Sequence, residues 1–164
     1  MHDVATQRSD MTREPAPGGV PIVGIGASAG GLEALREMLA PAHLPTGLAF
    51  VVVQHLDPNH ESMLAQLLDR NTVLEVLQSA GGELKQYFAP DTVYIIPPGR
   101  GLAIRGGVLE LTDFEQPRGL RRPIDDFFIS LAGDQQANAA CAATNEAAGA
   151  CACIAFSTFS MPTP

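Results

Sequence analysis

The sequence predicts an α/β fold built on a parallel sheet, and three observations lead there. Short apolar runs rich in β-branched residues alternate with amphipathic helical stretches between residues 20 and 68. The connections are short, as right-handed crossover units require. A chain of 164 residues, 46% hydrophobic, is long enough for one domain with a real core.

Taken in order, residues 1–19 are polar and end in EPAPGG, too poor in apolar residues to offset their ordering entropy, and read as a flexible leader. The run VPIVGIG that follows suits a strand buried on both faces. In GGLEALREMLA, Leu32, Leu35 and Leu39 share one helical face while Glu33, Arg36 and Glu37 point elsewhere, and Pro41 ends the pattern. A second buried strand centres on Ala49 to Val53. Asp57 then caps a helix that has Pro58 at its first position and Met63, Leu64, Leu67 and Leu68 on its apolar face.

The middle of the chain reads as short strands, VLEVLQ, TVYIIPP, LAIR and VLELT, with Gly106-Gly107 forming a tight hairpin turn between the last two. RRPIDDFFISLA is a helix: Pro123 stands at its first position, Asp125 and Asp126 in its first turn, and Ile124, Phe127, Phe128 and Leu131 on one face. Beyond it, residues 136–164 form an atypical Ala/Cys-rich tail with neither period, expected to be neither a core strand nor a solvated helix.

Charge and composition exclude several functions. Ten Lys and Arg against eighteen Asp and Glu leave a net charge of −8, unsuited to nucleic acid or an anionic membrane surface. No apolar run approaches the roughly 18 residues of a membrane helix, and the N-terminus carries charges and prolines where a signal peptide would be apolar. A cytoplasmic location is expected, with no membrane insertion. Cys141, Cys151 and Cys153 all lie beyond the last histidine, His60, so neither a disulfide framework nor a metal site is expected.

The loop GIGASAGG carries two overlapping patterns. Gly24, Gly26 and Ala29 fit the dinucleotide fingerprint, while Gly26, Ser28 and Gly30 fit the nucleophile elbow. Both place small residues where the backbone turns sharply from strand to helix, and amides at that helix start can hold a phosphate or an oxyanion. The second strand discriminates. A dinucleotide fold wants an acid at its end, and this one ends in Gln54 and His55. Loops after neighbouring parallel strands emerge on one edge, where a histidine can serve Ser28 as its base. The chain order of an ordinary α/β hydrolase, with histidine last, does not apply. His60 reads as a first-turn helix residue and His43 as a loop residue. Arg118, Arg121 and Arg122 fit either an anionic-substrate contact or a solvated face.

VGIGASAGGLEAL, FVVVQHLDPNHESMLAQLL, TVYIIPPG and RGLRRPID together closely resemble the catalytic domain of CheB-type protein-glutamate methylesterases, from about Val20 to about Gln135. The wording is most similar to versions fused to, or encoded with, a CheR-type methyltransferase. The resemblance implies a doubly wound, mostly parallel α/β sheet with helices on both faces, Rossmann-like and three-layered. It also implies hydrolysis of glutamate γ-methyl esters on the cytoplasmic domain of methyl-accepting chemoreceptors, with methanol released, and in many members glutamine deamidation. Ser28 is the implied nucleophile, His55 the base, the Ala29 amide an oxyanion donor and Arg122 a substrate contact. No metal or organic cofactor is implied.

Two departures from the family pattern follow. Nineteen leader residues are too few for the receiver domain that regulates many members. The family's Gly-rich segment carrying the third triad member, an Asp, has no counterpart in residues 136–164, so the sheet is expected to be incomplete on its C-terminal side. The abrupt change of composition near residue 135 reads as a shifted reading frame or shortened gene, which the surrounding DNA would test. Two other readings are a non-catalytic receptor-binding remnant and a nucleotide-binding α/β domain.

Overall fold

The structure, a computed structural model, describes residues 19–27, 30–54, 63–79, 86–117, 120–144 and 152–154. Strand β1 (Ile22–Ala27), helix α1 (Leu32–Leu39), strand β2 (Ala49–Gln54) and helix α2 (Leu64–Asp69) follow one another in the predicted order, although α2 begins at Leu64, with Met63 as its N-cap, and not at Pro58, which lies outside the described residues. Then come strands β3 (Glu75–Gln78), β4 (Gln86–Tyr87), β5 (Thr92–Ile95), β6 (Gly101–Arg105) and β7 (Val108–Thr112). Helix α3 (Pro123–Gln135) leads through a single 3-10 turn (Gln136–Asn138) to β8 (Ala139–Thr144) and β9 (Ala152–Ile154).

The main sheet has the order β3-β5-β2-β1-β8-β9; its first five strands are mutually parallel and β9 runs antiparallel at one edge. Its two faces are covered by different elements, giving the three layers that the family resemblance implies. On one face Leu35, Leu39, Leu64 and Leu68 of α1 and α2 close over Ile25, Val52, Val93 and Ile95. On the other, Phe127 and Leu131 of α3 and Leu102, Ile104 and Leu109 of a small β4-β7-β6 sheet close over Ile22, Val51, Val53 and Tyr94. Burial on both faces explains why β1 and β2 read as continuous apolar runs rather than alternating ones.

Gly106 and Gly107 form the two-residue β6–β7 turn, both with positive φ (59° and 74°), a conformation that favours glycine. The Asp134 carboxylate accepts hydrogen bonds from both their amides and so ties the hairpin to the end of α3. At the far side of the sheet Asp91 accepts from the Thr46 amide (2.6 Å) and hydroxyl (2.7 Å), pinning the loop before β2 to the start of β5.

Two expectations are corrected. Met63 is 61% exposed instead of joining Leu64 and Leu68 in the core, because it precedes the first residue of α2 and its direction is not set by the helical period. The larger correction concerns the segment after α3. Residues Ala139–Thr144 form a strand, paired in parallel with all six residues of β1, and bury Cys141 and Ala142. A strand lying between two others and covered by layers on both faces needs no period of two. Its alanines are also weak strand formers on their own, so tertiary pairing decides the outcome.

Candidate functional site

The carboxyl ends of parallel strands form the edge at which open α/β sheets bind ligands, above all where the strand order reverses. That reversal falls at β1. Its neighbours β2 and β8 come from distant parts of the chain, and the flanking helices α1 and α3 lie on opposite faces. The strand ends are level: Ala27 is the register partner of Gln54 on one side and of Thr144 on the other. Ser28 and His55 are the residues next in sequence after Ala27 and Gln54, so the strand ends that precede them lie side by side. Ser28, Ala29, His55, Asp57 and His60 themselves lie outside the described residues.

The glycines of the opening loop have a different role from the one their pattern suggests. Gly24 and Gly26 lie within β1, before the turn, and face α3. A β-carbon at Gly24 would stand 2.7 Å from Leu131 Cδ2 and 3.1 Å from Phe127 Cε1; one at Gly26 would stand 2.6 Å from Ile124 Cγ2. Both are far inside van der Waals contact. These glycines let the helix approach the strand, and the two contacts also fix its direction. Ile124, in the first turn of α3, sits over Gly26 near the carboxyl end of β1, and Leu131 sits over Gly24 deeper in the sheet. The start of α3, with Arg121 and Arg122 ahead of it, therefore stands at the ligand edge.

Arg122 is exposed, and no ion pair holds its guanidinium among the described residues. Arg121 is fixed instead: its Nε donates to the Gln116 carbonyl at 2.9 Å and its guanidinium carbon lies 4.7 Å from the centroid of the Phe114 ring. Leu120, 65% exposed, is held at the tip of a turn by its amide, which donates to the Pro117 carbonyl. Sequence reasoning missed Leu120. The signal available was an apolar residue set among arginines directly before a helix start.

Topology separates His43 and Asp134 from this edge. His43 lies in the loop entering β2, at the opposite end of the strands. Asp134 lies ten residues beyond Ile124 on α3, about 15 Å along the helix axis, and is occupied by the hairpin amides. Partial burial pushes its carboxyl up, but the Gln135 side chain and the Gly107 and Gly106 amides outweigh this and hold it below the ordinary carboxylate value. Among the described residues no three His, Cys, Asp or Glu side chains gather as metal ligands would. At the end of β2, where a dinucleotide fold carries its ribose-binding acid, stands the buried Gln54.

These features define an open, mostly parallel α/β domain in which the carboxyl ends of β1, β2 and β8 lie level at one edge. The chain belongs to the CheB methylesterase family, whose model matches residues 23–143 and so runs from β1 into β8. It is 32% identical over 126 residues to a protein-glutamate methylesterase/protein-glutamine glutaminase of Treponema denticola, covering 74% of this chain and 33% of that protein. A protein-glutamate methylesterase of Myxococcus xanthus is 36% identical over 131 residues, covering 78% of this chain and 37% of the relative. Among solved structures, the CheB methylesterase catalytic domain of Thermotoga maritima superposes with a TM-score of 0.59 at 29% identity, over 75% of this chain and 66% of that one. The chain spans about a third of the length of the curated relatives it matches. No helix among the described residues is long and apolar enough to cross a membrane.

Proposed function

We propose that this chain hydrolyses glutamate γ-methyl esters on the cytoplasmic domain of a methyl-accepting chemoreceptor, working in the cytoplasm against a CheR-type methyltransferase. The observation that carries this reading is the level register of Ala27 and Gln54, the strand-end residues that immediately precede Ser28 and His55 in sequence. Family membership and the names of the relatives supply the substrate class.

In this reading the Ser28 hydroxyl attacks the ester carbonyl while the His55 imidazole takes its proton. The Ala29 amide donates to the oxyanion of the tetrahedral intermediate. Collapse breaks the bond to the methoxy oxygen, which leaves as methanol with the proton from His55. Water, deprotonated by His55, then releases a free glutamate carboxylate and restores Ser28. A glutamine side chain follows the same course with ammonia as the leaving group. Arg122 contacts the substrate. Residues 136–164 contain no counterpart of the Gly-rich Asp segment of the family, so no acid within them is assigned to orient His55. Loss of the orienting acid in a serine protease lowers turnover by about 10⁴.

The test is methanol release from a methylated chemoreceptor cytoplasmic fragment, comparing this chain with Ser28→Ala after both are shown to be folded. Slow release that vanishes with the serine is the expected result. No release from a folded chain overturns the catalytic reading in favour of a receptor-binding remnant, and stabilisation by NAD would favour a nucleotide-binding domain.

A further inference from the structure

We propose that Leu120, Arg121 and Arg122 form a cationic lip at the ligand edge that selects acidic peptide segments of the substrate protein. The inference rests on the proposed activity for the identity of the partner and extends it to how that partner is chosen.

Three observations carry it. The first is location: the contacts of Ile124 with Gly26 and of Leu131 with Gly24 hold the start of α3 over the carboxyl end of β1, directly beside the strand end that leads to Ser28. The second is exposure. A leucine 65% exposed between Gly119 and two arginines is an apolar surface kept in water, held outward by its own backbone turn. The third is charge. The chain carries −8, which repels an acidic partner at long range, yet three of its ten cations fall between residues 118 and 122. Arg118 lies outside the described residues.

The two described arginines are prepared differently. Arg121 is immobilised on Phe114 and the Gln116 carbonyl, so little rotamer freedom remains to be lost on binding. Arg122 is exposed, and among the described residues no ion pair holds its guanidinium. Asp125 and Asp126 follow in the first turn of α3 and are exposed, which confines the favourable region for a carboxylate to the loop ahead of the helix. A peptide that presents a glutamate ester to the strand ends, with further carboxylates flanking it, places those carboxylates on the arginines and an apolar residue on Leu120. Each hydrolysed ester adds another carboxylate to such a segment.

The test uses the full chain and two fluorescent peptides identical except that flanking glutamates are replaced by glutamines in one, with binding followed by anisotropy at low and raised salt. The expected result is preference for the acidic peptide, weakening as salt rises. That preference falls about fivefold in Arg122→Glu and by less in Arg122→Gln, the size expected for an exposed, screened charge contact. Equal binding of the two peptides, no binding of either, or an unchanged preference in both folded variants overturns the lip. Ser28-dependent methanol release from methyl-ester forms of the peptides reports separately on the activity. Preference without release sinks the esterase reading and leaves the lip standing; release without preference does the reverse.

Discussion

The approach of α3 to β1 depends on an absent side chain, and Gly24→Ala tests it. An added β-carbon would meet Leu131 Cδ2 at 2.7 Å and Phe127 Cε1 at 3.1 Å, where carbon atoms ordinarily rest about 3.5–4.0 Å apart, so the overlap is about 1 Å. Leu131 and Phe127 are fully buried and have no solvent to move into. Overpacking of this kind costs about 1–3 kcal/mol. Against it stands the lower unfolded-state entropy of alanine in an extended strand, which returns about 0.5–1 kcal/mol. With two fully buried side chains in the way the overpacking cost falls in the upper part of its range, about 2–3 kcal/mol, so the net expectation is a loss of about 1–2 kcal/mol, which at a urea dependence of about 1.5–2 kcal/mol/M lowers the unfolding midpoint by about 1 M. Urea titrations followed by circular dichroism measure it. Leu131→Ala alone removes a buried side chain at a cost of about 2–5 kcal/mol, but combined with Gly24→Ala it also removes the clash. The double variant should therefore be more stable than the sum of the singles by about 1–2 kcal/mol. A neutral or stabilising Gly24→Ala, or strict additivity, would refute the close-approach argument. The position of Arg122 at the ligand edge depends on the same contact.

Three further outcomes are expected. Asp134→Ala leaves the Gly106 and Gly107 amides without their carboxylate and should cost about 1 kcal/mol at neutral pH after allowance for exposure. Because the folded carboxyl titrates below the ordinary value of 3.8, its contribution is present above that value and lost as pH falls through the folded one. The difference in urea midpoint between wild type and variant should therefore shrink at low pH; a gap that persists unchanged in strong acid would contradict this. Burial pushes the Cys141 thiol up, so in a chain with Cys151 and Cys153 replaced by serine it should resist a thiol reagent until urea unfolds the protein, and rapid labelling of the native state would count against a buried β8. Truncation after Asn138 removes β8 and leaves all of β1 unpaired on one side, with the apolar groups beneath it uncovered. Size-exclusion chromatography should show aggregation and the thermal transition should lose cooperativity, whereas a monomeric, cooperatively folding truncation would mean that β8 is dispensable.

The sequence by itself determined the local elements whose signals lie within a few residues. Continuous β-branched runs set β1 and β2, Leu35 and Leu39 at helical spacing set α1, Pro123 with its following aspartates set the start of α3, and a Gly-Gly pair set the β6–β7 turn. The family resemblance implied the three-layered sheet. Tertiary structure decided what depends on partners distant in the chain. Ala139–Thr144 has no strand signal of its own and becomes one by pairing with β1 more than a hundred residues earlier. Gly24 and Gly26 read as turn residues but serve as a slot for α3, because only the packed helix shows what their missing side chains would strike. Leu120 and Arg122 stand at the ligand edge for the same reason: the direction of α3 is fixed by contacts with β1, and nothing in the residues between 112 and 123 encodes it.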